Sequence, residues 1–128
     1  MRSFFVRDGM GIKLLQKAGI RIAFITGLTS ELVQQRADDL GISYIIQDCH
    51  EKDAAAEKIL IDAGLSWEEA AHIGDDVIDI TLIKKAGLGV AVADAAESVK
   101  QVADYVTTLP GGHGAVRELC DLILDARK

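Results

Sequence analysis

The sequence predicts an α/β fold, a parallel sheet with helices on both faces, and three observations carry that expectation. Continuous apolar runs alternate with helical periods along the 128 residues. Runs without internal polar alternation suit strands buried on both faces, as in parallel sheets. One run, Ala70-Ala71-His72-Ile73, stops on Gly74-Asp75-Asp76-Val77-Ile78-Asp79. It sets carboxylates at the carboxyl end of a strand, where open α/β sheets bind ligands.

The elements follow in order. Residues 9–17 read as a helix with Ile12, Leu14, Leu15 and Ala18 inward, closed by Gly19. Residues 21–25 form a buried strand that stops at Thr26-Gly27. Ser30 caps a helix running to Leu40, buried through Leu32, Val33, Ala37 and Leu40, with Gly41 closing it. Residues 44–46 are the next strand, 53–63 a helix ended by Gly64, and Ser66-Trp67-Glu68-Glu69 a turn with capping-box character. After the acidic cluster come a helix over 77–85 and a strand over 88–92. A helix at 95–102 and a strand at 105–107 follow. The last helix, 114–127, keeps Ala115, Val116, Leu119, Cys120, Ile123 and Leu124 at helical spacing.

A chain of 128 residues fits one domain with a real core. The net charge of −6 and the lack of a basic run argue against nucleic acid. No apolar stretch approaches the ~20 residues of a membrane span, and Arg2 and Arg7-Asp8 come too early for a secretory signal. Cys49 and Cys120 lack metal-ligand spacing and read as reduced thiols, which suits the cytoplasm.

Alternation alone leaves flavodoxin-like, receiver-like and nucleotide-binding folds open. The strand ends narrow the choice. Thr26 and Gly27 offer a hydroxyl and an amide to a phosphoryl oxygen. Lys52 opens a helix, where ammonium and helix end together favour an anion. Adjacent Asp75 and Asp76 repel unless neutralised, and Mg²⁺ does so with oxygen ligands. An Asp-rich helix start is the plainer account of that pair. Together, hydroxyl, lysine and acids make a phosphoryl-transfer set.

On these residues the sequence resembles the haloacid dehalogenase phosphatase superfamily. More closely, it resembles the small capless branch that contains the 3-deoxy-manno-octulosonate 8-phosphate phosphatases and their sialic-acid-type relatives. The resemblance runs through Phe5-Val6-Arg7-Asp8-Gly9, Ile25-Thr26-Gly27, Gly74-Asp75-Asp76, Val90-Ala91-Val92-Ala93-Asp94, Ala103-Asp104-Tyr105-Val106-Thr107 and Gly111-Gly112-His113-Gly114-Ala115-Val116-Arg117-Glu118. It implies a Mg²⁺-dependent phosphomonoesterase acting on an acidic sugar phosphate in the cytoplasm, assembled as a homo-oligomer, usually a tetramer. Thr26 and Gly27 would hold phosphate, Lys52 would balance nucleophile and phosphate, and Asp75 would bind the metal with Asp76 beside it. Asp76 and Asp79 would steady water and backbone. His113 and Arg117 would face the substrate.

The departures are specific. The family attacks phosphorus with the first aspartate of an Asp-x-Asp pair at the end of a central strand, and the second aspartate serves as acid and base. No Asp-x-Asp follows an apolar run here, and Met1 falls in the returning arm of the hairpin beyond that strand. The expectation is a fold lacking its N-terminal central strand. Either a gap then separates the strands ending at Thr26 and Asp75, or the two close to about 4.8 Å. Leu28, Asp48 and His113 stand where relatives commonly carry Arg, Gly and Arg. Turnover near background is expected, and a catalytically silent binding or oligomerisation domain is the alternative.

Overall fold

The computed structural model of the chain describes residues 6–27, 29–42 and 44–126. Its elements, in chain order, are α1 (Val6–Lys17), β1 (Ala23–Ile25), α2 (Glu31–Leu40), β2 (Tyr44–Ile46) and α3 (Lys52–Ala63). They continue with β3 (Ala71–Gly74), α4 (Ile80–Lys85), β4 (Leu88–Ala91), α5 (Glu97–Val102), β5 (Tyr105–Val106) and α6 (Ala115–Ala126). Leu28 and the expected hairpin arm at Met1 lie outside the described residues.

Local chemistry sets the helix ends. Ser30 accepts the Leu32 amide at 3.2 Å to start α2, and Gly41 and Gly64 end α2 and α3 in the left-handed conformation. The Ser66–Glu69 capping box forms, with the Ser66 amide 3.1 Å from Glu69 Oε1. Burial departs from the periodic reading in two helices. Leu14 and Leu32 are exposed, as is Ala18, because α1 turns Ile12 and Leu15 inward and α2 turns Val33, Ala37 and Leu40. A stripe of three to four positions per two turns suffices to seat a surface helix. Gly11 lets α1 lie close on α6, since a Cβ there would stand 2.8 Å from Arg117 Cδ and 3.0 Å from Cys120 Cβ.

Among the described residues all strands are parallel, in two sheets: β1 pairs with β2, and β3–β4–β5 form the other. Each sheet has its own core. Ile12, Leu15, Ala37, Leu40, Ile42 and Cys120 pack on the first, and Ile83, Ala91, Val92, Ala95, Val99 and Ala115 on the second. Helix α6 serves both. The halves have not closed up. Between β1 and β3 lies a cavity of about 970 Å³, walled by both strand edges. Ala56, Ile59, Leu60 and Ala63 of α3 line it from one side, and α1 and α6 contribute Leu15, Leu119 and Ile123. Those α3 positions form one helical stripe, and no residue of α3 is buried. Its apolar face looks into the cavity.

Candidate active site

Because the strands run parallel, their carboxyl ends share one edge of the molecule. Thr26 follows β1 there and is buried; its amide donates to Ile46 O and its carbonyl accepts the Cys49 amide, both at 2.9 Å. Gly27 continues that loop, packed near Cys49 O. Lys52 is the first residue of α3, its side chain 10% exposed.

Beyond β3 the loop is built around Asp79, the one buried carboxylate among the described residues. Its Oδ1 accepts from Lys52 Nζ and lies against His72 Nε2, each at 3.0 Å. Its Oδ2 accepts the amides of Asp75 and Asp76, both at 3.2 Å. Gly74 makes room, since a Cβ there would collide with the Asp79 carboxyl group. Burial by itself would raise the Asp79 pKa, but hydrogen bonds from His72 and Lys52, with their charges, outweigh it and hold the carboxyl well below the usual range.

Asp75 and Asp76 are exposed at the tip. Asp76 caps the following 3₁₀ turn, Oδ1 accepting the Val77 amide at 2.7 Å, whereas no hydrogen bond or ion pair among the described residues engages the Asp75 carboxylate. Among those residues no three His, Cys, Asp or Glu side chains gather as a metal cluster. One open carboxylate with an acidic neighbour is a donor set that fits Mg²⁺, which keeps waters and uses one or two carboxylates plus phosphate oxygens.

The remaining strand ends close the rim. Asp94 Oδ1 accepts the Gly111 amide at 2.8 Å, tying the glycine-rich tail loop to the end of β4. Glu118 accepts the Tyr105 hydroxyl at 2.6 Å and the amides of Thr108 and Leu109. Thr26, Gly74, Asp75, Asp94, Gly112 and His113 all border the cavity between β1 and β3. Lys52 reaches this group through Asp79. Arg117 stands apart from it, its Nε donating to Asp121 at 2.9 Å one helical turn on.

A family profile described as haloacid dehalogenase-like hydrolase matches residues 44–119. Across 127 residues the chain is 44% identical to the 3-deoxy-D-manno-octulosonate 8-phosphate phosphatase of Yersinia pestis, covering 99% of this chain and 68% of that one. The chain belongs to the haloacid dehalogenase-like hydrolases.

Among solved structures, this chain is similar to the Moraxella catarrhalis 3-deoxy-D-manno-octulosonate 8-phosphate phosphatase, in complex with magnesium, phosphate and KDO. The TM-score is 0.95 at 44% identity, over 97% of this chain and 71% of that one. The cobalt-bound Haemophilus influenzae phosphatase gives 0.96 at 41% identity, over 99% and 74%. The parallel α/β architecture is that of these relatives, and the metals in them support a divalent cofactor for the family.

In sequence His72 is one residue of the apolar run before Gly74. The structure joins it to the Lys52–Asp79 pair. The signal available in sequence was its place two residues before Gly74, which puts both on one face of the strand.

Proposed function

We infer that this chain is the phosphate- and Mg²⁺-holding body of a phosphomonoesterase for an acidic sugar phosphate of the 3-deoxy-D-manno-octulosonate 8-phosphate type. The observation that carries the reading is the convergence of Thr26, Lys52 and Asp75 on one edge of the sheet. Relatives at 43–44% identity carry that activity in their names.

The roles follow from the groups. Thr26 and the Gly27 amide supply donors to phosphoryl oxygens. Lys52 commits one ammonium proton to Asp79 and has two further donors for an anion at the start of α3. Asp75, with Asp76 next to it, would hold Mg²⁺, whose chemistry is to neutralise charge building on the transferring phosphoryl group. His113 at the tail loop would meet the sugar acid, and Arg117 would do so only after leaving Asp121.

The attacking and proton-donating aspartates belong, on this reading, to a strand seated between β1 and β3. Two facing parallel edges and apolar helices on both sides of the cavity support that placement. Positioned acid–base groups each contribute about 10² or more, so residues 1–128 alone are expected to release phosphate near background. Assay of the octulosonate 8-phosphate with Mg²⁺ tests this, and robust release by the pure chain would refute the placement. A silent binding domain is the second reading, favoured by the lack of Asp-x-Asp after any apolar run. It predicts that a seated Asp-x-Asp strand leaves turnover at background. Open strand edges and the exposed Ile61 also favour a homo-oligomer, a tetramer by family likeness. Sedimentation as a folded monomer at micromolar concentration would contradict that.

A further inference from the structure

Asp79 is held at both oxygens, and the two sides do different things. Oδ2 takes the amides of Asp75 and Asp76, fixing the backbone of the acidic loop. Oδ1 takes Lys52 Nζ and faces His72 Nε2, each at 3.0 Å. The two partners on Oδ1 differ mechanically. Lys52 reaches it on a flexible four-carbon stem, a point charge that follows the carboxylate as it rotates. His72 presents a planar ring from β3, whose backbone is paired with β4 in register His72 to Gly89. Only the ring supplies a contact fixed in direction.

We propose that His72 is a positioning residue. With the proton on Nε2 it donates to Asp79 Oδ1 and sets the plane of that carboxylate. The plane in turn fixes where the Asp75 and Asp76 backbone and the Lys52 ammonium stand. Removing the donor leaves Asp79 held by the flexible Lys52 and by two amides at 3.2 Å, which restrain its last torsion less, so the loop amides lose their acceptor for part of the time. The consequence for metal rests on the Mg²⁺ reading above; the geometry of the loop does not. Groups hydrogen-bonded directly to a ligand typically affect metal affinity by 10–100-fold, and His72, which acts through Asp79, belongs at the low end of that range.

The test compares His72→Phe, which keeps a ring without a donor, with His72→Gln, which restores an N–H. Amide hydrogen exchange at Asp75 and Asp76 is measured without metal, and MgCl₂ titration is followed by the shifts of the same amides. The expected result is faster exchange at both amides and about tenfold weaker Mg²⁺ binding in the Phe variant, with most of both effects reversed by Gln. Wild-type exchange and affinity in the Phe variant would overturn the proposal. So would a Gln variant as impaired as Phe. If wild-type amides do not respond to Mg²⁺, the metal reading fails, and exchange alone decides the role of His72. The Val90 amide, in the buried centre of β4, reports the fold; should Phe loosen it, His72→Leu takes its place as the donor-free variant.

Discussion

Asp79 shows how one side chain fixes several functional groups at once. Its carboxylate is nearly inaccessible, 4% exposed, and is tolerable there because two side chains and two backbone amides satisfy it. Its pKa lies below that of an unfolded aspartate, about 3.9. The unfolded chain therefore binds a proton more readily, and the stabilisation is complete above that value and lost as pH falls towards the folded pKa. Asp79→Asn should cost about 3 kcal/mol near neutral pH, because it strands Lys52. It should also flatten the fall of stability below pH 4, and urea titrations across pH check both. Glu118 plays the analogous part for the 107–109 loop. Its hydrogen bond is the first cause of the raised Tyr105 pKa, followed by burial and its charge. Glu118→Gln should lower the pH at which that phenol ionises and speed exchange of the Thr108 and Leu109 amides. An unchanged phenol titration would contradict the contact. Asp75 and Lys52 were visible in sequence by residue type and position, whereas the sharing of Asp79 was not. It depends on a loop folding back over Gly74.

At the scale of elements, the strand and helix positions followed from apolar period and capping residues, with Ser30, Gly41, Gly64 and the Ser66–Glu69 box at the ends foreseen for them. Inward faces were read less well. Leu14 and Leu32 fit a helical stripe on paper and point outward, since the period does not say how wide a face the neighbours cover. Helix α3 is the instructive case. Its stripe of Ala56, Ile59, Leu60 and Ala63 has the pattern of a buried face and looks into the cavity beside β1. Leu60→Ala should consequently cost no more than about 1 kcal/mol, whereas Ile83→Ala, at a side chain 1% exposed in the second core, should cost about 3 kcal/mol. Equal losses by chemical denaturation would mean that α3 is as tightly packed as α4. Close approach gives a second test. Gly11→Val should force α1 away from α6 and cost about 2 kcal/mol, and little change in stability would contradict the tight crossing.

For the whole molecule, two small parallel sheets share α6 and present their strand ends to one side, with a cavity between β1 and β3. The family and its α/β class were legible because the motifs sit at strand ends, which sequence marks with Gly, Thr and Asp. Whether the halves would close over the gap was not legible, because it turns on the bulk of α1, α3 and α6 side chains around it rather than on any motif. The proposed function puts phosphate at β1 and α3 and the metal at β3, so the two ligands should be felt together by residues far apart in sequence. Titration of the ¹⁵N-labelled chain with MgCl₂ and inorganic phosphate, followed by amide shifts, tests that most directly. The account predicts joint perturbation of Thr26, Gly27, Lys52, Asp75 and Asp76, with little change on the opposite edge of the sheet. Perturbations that miss these residues, or that fall on the amino ends of the strands, would contradict it.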